Sequence, residues 1–310
     1  MKKIPIIIDC DPGHDDAIAL AAACASEKLD LLAVTVVAGN QTLIKTLRNA
    51  KKILNFIGKR PLLAAGADKP MFRELLTAPD FHGESGLDGP ELPDPADYRE
   101  EPVPAWDLTR RIIMESPEPV TLIPTGPLTN IGILFTAYPE VKRNIARISL
   151  MGGSILAGGN RTSAAEFNIL VDPEAADIVF SSGVPITMCG LDVTNKAFLL
   201  PEEVETLRKT GRVGRFLAEL IDFYFGMYLK LGFKGAALHD PCAVFALTNP
   251  ELFQTRNFHV DIETRGSLTQ GMTLADLRPW TDARPNVTAC LDIDRQAFVR
   301  LLYDAGALYG

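Results

Sequence analysis

Short apolar runs alternate along this chain with longer stretches whose apolar positions recur every three or four residues. Runs at residues 4–9, 31–37, 120–124, 148–151 and 185–189 are apolar at almost every position, as expected of strands covered on both faces. Between them, residues 15–25, 43–57, 105–115, 128–138 and 173–182 carry the spacing of amphipathic helices. This alternation predicts an α/β fold: an open, mainly parallel but mixed central sheet with helices on both faces. The rhythm breaks twice. Residues 66–104, rich in Pro, Gly and acids, offer no periodicity, which suits a functional loop that closes over a site. Residues 216–230 are an aromatic-rich helical pattern that leads into LHDPCAVFAL. From about residue 259 further strands are expected, then a last helix over 295–302. No linker or repeat interrupts the chain, so one domain over 1–310 is expected.

Hydrophobic residues make up 47% of the chain, ample for a core. No apolar run approaches the ~20 residues needed to cross a bilayer. The start, MKKIPIIIDC, has too short an apolar stretch for a signal peptide, so a cytoplasmic protein is expected. The net charge is −8 and the basic residues are dispersed, which argues against nucleic acid as a partner. Cys10, Cys24, Cys189, Cys242 and Cys290 are odd in number and lack metal-type pair spacing. They read as reduced thiols.

The candidate chemistry begins where the first strand stops. Asp9, Asp11, Asp15 and Asp16 bracket a Pro12-Gly13 turn, and carboxylates this dense repel one another unless a cation or reacting group shares their site. In an extended strand Asp9 and Asp11 would point to one face. Asp15 and Asp16 fall in the first turn of a helix and diverge, so they address different targets. Capping and the helix dipole alone would account for these two, but not for Asp11. Sites in parallel α/β sheets gather at the carboxyl ends of strands, and that rule adds Asn40, Thr125, Asn160, Glu166 and Asn168. Glu166 and Asn168, two apart in an apparently extended segment, would share a face suited to sugar hydroxyls. In His239-Asp240-Pro241, Asp240 is a further carboxylate ahead of a proline-started helix. His14 and His259 read as ordinary structural histidines. Nucleophile-elbow, phosphate-loop, zincin and dinucleotide-fingerprint motifs are absent.

The segments DCDPGHDDA, AGNQT, PTGPLTN, LMGG, AEFNILVDPEAA and HDP, in that order, resemble the nucleoside hydrolases, the N-ribohydrolases of the inosine-uridine type. The resemblance covers nearly the whole chain and implies their Rossmann-like fold. It further implies Ca²⁺ held by Asp11, Asp16, Asp240 and the Thr125 carbonyl. Asp15, Asn40, Asn160, Glu166 and Asn168 would bind the ribose, with Asp9 in support. A homo-oligomer, tetramer or dimer, and a role in nucleoside salvage are implied as well.

The expected reaction is hydrolysis of the N-glycosidic bond of a small ribonucleoside. Asp11 would take a proton from the attacking water, and His239, titrating near neutrality, would protonate the departing base. Tyr224 and Tyr228 share a helical face and, with His82 from the 66–104 loop, would line the base pocket. Two tyrosines here resemble purine-active members, so cleavage of both inosine and uridine is expected, with a pyrimidine-specific enzyme as the alternative. A metal-dependent phosphohydrolase and a non-enzymatic nucleoside or sugar binder are further alternatives. The Pro12-Gly13 turn and the early Asp15-Asp16 pair disfavour the phosphohydrolase.

Overall fold

The computed structural model describes residues 2–230 and 232–309. Met1, Leu231 and Gly310, within the expected single domain, lie outside the described residues. Among the described residues the strands are β1 (Ile4–Cys10), β2 (Leu29–Val36), β3 (Leu62–Ala65), β4 (Val120–Pro124), β5 (Ile145–Met151) and β6 (Ile186–Cys189), followed by β7 (Phe198–Leu199), β8 (Ala236–Ala237), β9 (Phe253–Phe258), β10 (Val260–Ile262), β11 (Thr273–Ala275) and β12 (Val287–Ile293). Eight form one sheet in the order β3-β2-β1-β4-β5-β6-β12-β9, and β7-β8 and β10-β11 are separate two-stranded ribbons. Every pairing in the large sheet is parallel except β12 with the edge strand β9. The expected mixed, mainly parallel sheet is therefore present.

Strand alternation splits the core in two. Ile6, Ile8, Val34 and Val36 pack with the helices His14–Ala25, Leu43–Phe56, Arg212–Lys230, Pro241–Thr248 and Arg295–Ala307. Ile7, Ala33, Leu122, Ile148 and Leu150 face the helices Ala105–Glu115, Thr129–Ala137 and Pro173–Phe180. The five expected strands and five expected helices appear within a few residues of their predicted bounds. β3 was not anticipated: its four residues sit at the sheet edge and are too few to show a period. Residues 66–104 hold one short helix, Pro79–His82, in keeping with a loop.

Asp9 shows how the strand ends are tied down. Its side chain lies on the Ile7 face, where Oδ1 accepts from Thr35 Oγ1 at 2.5 Å and from Asn130 Nδ2 at 2.8 Å. Asn130 also donates to the Val36 carbonyl at 3.2 Å and accepts from the Ala67 amide at 2.9 Å. One buried amide thus joins β1, β2, the chain after β3 and the helix Thr129–Ala137. Asn130→Ala would strand the Ala67 N–H and strip Asp9 of a donor. It is expected to destabilise the protein by about 2–4 kcal/mol, since each buried polar group left unpartnered costs 1–3 kcal/mol. Denaturant unfolding checks this, and an unchanged midpoint would contradict it.

Candidate active site

The strand order reverses around β1 and β4, and the crevice outside such a switch point is where open α/β sheets bind ligands. The segments leaving these strands are short and aimed at it. Asp11 follows β1 directly; Thr125 and Gly126 follow β4; Gly39 and Asn40 follow β2. A Cβ at Gly39 or Gly126 would collide with the Asp11 carboxylate, so glycine at both positions permits the close approach.

Asp11 accepts from the Asn40 amide through Oδ2 at 2.7 Å, while Oδ1 is buried with no partner. Asp9 and Asp11 do not share a duty: β1 ends at Cys10, and the Pro12-Gly13 turn carries Asp11 off the ladder. Asp16 accepts from Thr125 Oγ1 at 2.8 Å and the Gly13 amide at 2.9 Å. Carboxylate oxygens of Asp15, Asp16 and Asp240 lie within 4.8 Å of one another. The structure thus groups Asp15, expected at the ribose, with Asp16 and Asp240. Burial and then mutual repulsion push Asp15 up to about 7 and Asp11 and Asp240 well above the carboxylate range. Asp16 is raised too, chiefly by burial.

These acids border a cavity of about 450 Å³. Asp15, Asn40, Thr125, Asn160, Glu166 and Asn168 line it; Asp11 and Asp16 are fully buried. Glu166 differs from expectation. It is the N-cap of the helix Phe167–Val171, not part of an extended segment, and accepts from the amides of Gly153, Asn168 and Ile169. A five-residue helix is too short for the helical period to register. Asn168 donates to the Thr125 carbonyl at 2.8 Å and so orients that oxygen. Asn160 accepts from the Phe167 amide.

The same cavity is also lined by rings: Tyr224, Tyr228, His82 and His239, with Asp240 adjoining. The Tyr228 hydroxyl donates to the Tyr224 hydroxyl at 3.3 Å and lies 2.6 Å from His239 Nε2; His239 Nδ1 lies 2.8 Å from Thr194 Oγ1. One wiring satisfies all three contacts: Thr194 donates to Nδ1, and Nε2–H donates to Tyr228. Thr194 was not anticipated, because nothing in its local sequence marks a residue whose partner is 45 positions away. Burial pushes His239 down to about 4, against the expected titration near neutrality. Its ring bonds only hydroxyl groups among the described residues, so no carboxylate supports the charged form. His14 is likewise no ordinary structural histidine. Its Nδ1 is 3.2 Å from His82 Nδ1 and its Nε2 is 2.7 Å from the Asp88 carbonyl, with the ring stacked on Phe223 and Tyr224. Its place between the turn and the acid pair was the available signal.

The family model "Inosine-uridine preferring nucleoside hydrolase" matches residues 6–300. The chain belongs to that nucleoside hydrolase family. Among its relatives, the pyrimidine-specific ribonucleoside hydrolase RihA of Photobacterium profundum is 54% identical over 309 residues, covering 98% of this chain and 99% of that protein. The RihA of Citrobacter koseri is 51% identical over 310 residues, 99% of each. Among solved structures, the purine-preferring ribonucleoside hydrolase of Gardnerella vaginalis superposes with a TM-score of 0.92 at 30% identity, covering 98% of this chain and 99% of that one. This nucleoside hydrolase therefore acts on N-glycosyl bonds. No helix among the described residues is long and apolar enough to cross a membrane.

The residues present fit the metal ion on which this family generally depends: an unpartnered buried oxygen on Asp11 and three converging carboxylates. The pH dependence of stability follows. Asp9 and Asp15 ionise near 3.8 when unfolded and at about 7 when folded. Between those values the folded state holds more protons, so stability falls as pH rises through the window. Chelator-treated nucleoside hydrolase is expected to melt at lower temperature at pH 8 than at pH 5. Divalent cation should reduce that difference by favouring the ionised acids. Thermal scans at both pH values check this; a melting temperature that rises with pH in chelator would contradict it.

Proposed function

We propose that this nucleoside hydrolase is a calcium-dependent, pyrimidine-specific ribonucleoside hydrolase that releases ribose and uracil or cytosine. The observation that carries the chemistry is one cavity that brings buried carboxylates together with neutral hydrogen-bonding rings. Asp11, Asp16, Asp240 and the Thr125 carbonyl would hold the ion, with Asp15 close enough to join them. An all-oxygen donor set of carboxylates and a carbonyl suits a hard cation such as Ca²⁺. When bound, the ion compensates the acids and polarises an attacking water.

Asp11 accepts the proton of that water through its unpartnered Oδ1. Asp15, Asn40, Asn160, Glu166 and Asn168 orient the ribose hydroxyls, and the anionic surroundings favour the positive charge that builds on the sugar. The chain Thr194–His239–Tyr228 runs toward the base. His239 stays neutral and donates its Nε2–H to the Tyr228 oxygen, which holds the Tyr228 hydroxyl in place as a hydrogen-bond donor beside the base.

Two observations support the pyrimidine reading over cleavage of both inosine and uridine. Relatives at 51–54% identity over essentially their full length carry the pyrimidine-specific name. Moreover, the Tyr228 hydroxyl is already engaged with His239 and Tyr224. A hydroxyl so engaged is less free to donate to a purine nitrogen.

A panel of uridine, cytidine, inosine and their 2′-deoxy counterparts, with and without chelator, tests this. Uridine and cytidine are expected to turn over, with kcat/KM for inosine at least roughly 100-fold lower, a difference of about 2.7 kcal/mol. Chelation should abolish activity and Ca²⁺ restore it; equal rates on inosine and uridine would overturn the specificity. Asp11→Asn is expected to lower kcat by roughly 10²–10⁴-fold, the range of a general base, without lowering the melting temperature of the chelated protein. Near-normal turnover would remove Asp11 from its role.

A further inference from the structure

Between β5 and the helix Phe167–Val171 the chain runs through residues 152–166 without a helix or strand. This segment supplies Ala157, Gly159, Asn160, Arg161 and Glu166 to the cavity wall. Burial does not hold its middle in place. Ile155 packs against the core, but Leu156 is 69% exposed, and Ala157 and Asn160 are exposed as well. A stretch that removes so little apolar surface from water gains little from packing, so polar contacts must place it.

Asp192 supplies those contacts. It accepts three consecutive backbone amides: Ile155 through Oδ2 at 2.5 Å, and Leu156 and Ala157 through Oδ1 at 2.7 and 3.1 Å. None of the three amides has another partner among the described residues. Successive N–H groups converging on one carboxylate form an anion nest, and bonds to a charged acceptor are stronger than neutral ones. The preceding residues are held separately, Gly153 by Glu166 and Ser154 by Thr273. Asp192 belongs to the four-residue helix Leu191–Thr194, whose Leu191 lines the cavity and whose Thr194 bonds His239. One short element therefore carries both the wall that bears Asn160 and the ring of His239.

We propose that Asp192 is a positioning residue: it clamps residues 155–157 so that Asn160 is set at the cavity for the ribose. Asn160 is then fixed from both sides along the chain. Asp192 holds the residues before it, and its own Oδ1 accepts from the Phe167 amide at 3.0 Å. That leaves Nδ2, which has no partner among the described residues, to donate to a sugar hydroxyl. Without the Asp192 carboxylate the three amides turn to water, and nothing grips the chain between Ser154 and Asn160. The clamp stands whatever the cavity binds. Its effect on substrate rests on the reading of Asn160 as a ribose contact.

Amide hydrogen exchange read by mass spectrometry, combined with uridine kinetics, tests this. In the wild type, peptides spanning residues 155–157 are expected to be protected although no helix or strand contains them. In Asp192→Ala they should exchange at least roughly tenfold faster, the loss of about one net hydrogen bond, while peptides from β1 and β4 stay protected. KM for uridine should rise roughly tenfold with kcat little changed, as for binding shared by ground and transition states. Asn160→Ala should raise KM by a similar factor, and the double variant should be no worse than Asn160→Ala alone. Independent effects would instead multiply to roughly 100-fold. Unprotected amides in the wild type overturn the clamp whatever the variants do, including if they fail to fold. Exchange unchanged in Asp192→Ala overturns it too, and a multiplied loss in the double variant overturns the action through Asn160. An unchanged KM in Asn160→Ala overturns the ribose contact and the effect on substrate with it, while exchange still decides the clamp.

Discussion

Everything at this site is arranged around carboxylates that burial forbids to ionise together. Asp11, Asp15, Asp16 and Asp240 are all essentially buried, and none forms an ion pair among the described residues. Their negative charge is met instead by dipoles. The Gly13 and Asn40 amides and the Thr125 hydroxyl bond Asp11 and Asp16 directly. Asp15 and Asp16 occupy the first turn of one helix, and Asp240 is the N-cap of another, where the helix dipole favours anions. These terms are each small against the desolvation of a buried charge. The deficit left over is what a divalent cation would make good, and it makes the folded protein a binding partner for one.

The rings in the cavity follow a complementary rule. His14, His82 and His239 are all held below their ordinary range by burial. The cavity therefore sets carboxylates, whose charge a cation would stabilise, beside neutral rings. That division matches glycosidic cleavage, in which positive charge builds on the sugar while the base needs a proton. Neutral rings can move that proton only along hydrogen bonds, so tautomers matter here more than titration. The contacts of His239 with Tyr228 and Thr194, and of His82 with His14, each tie a ring nitrogen to a partner distant in the chain.

How much of this was legible in the sequence depended on the range of the signal. The strands that aim Asp11, Asn40 and Thr125 announce themselves as local apolar runs, and Asp15 and Asp16 follow from one helix start. Asp240 was legible from the proline after it. The resemblance to nucleoside hydrolases then ordered these residues into one site. Less legible was anything fixed by a distant partner or by a very short element. His14 gains its meaning from His82, 68 residues away, and Glu166 from a five-residue helix. The tyrosine pair was placed correctly, on one buried face. What its hydroxyls bond was not legible, because helical spacing says which residues meet but not what they bond.

Asp9 and Asp11 show why composition alone misleads at strand ends. Both are buried aspartates, two residues apart, and each has one oxygen without a partner. Yet Asp9 still lies within the β1 ladder, so strand parity sends it under the sheet to Thr35 and Asn130. Asp11 lies one residue past the ladder, where the chain turns and parity no longer applies. The sheet needs the first to lock three strands to a helix, and the site needs the second with an oxygen free. Moving the end of β1 by a single residue would exchange those environments, so the register of β1 against β2 and β4 is itself a condition for the chemistry.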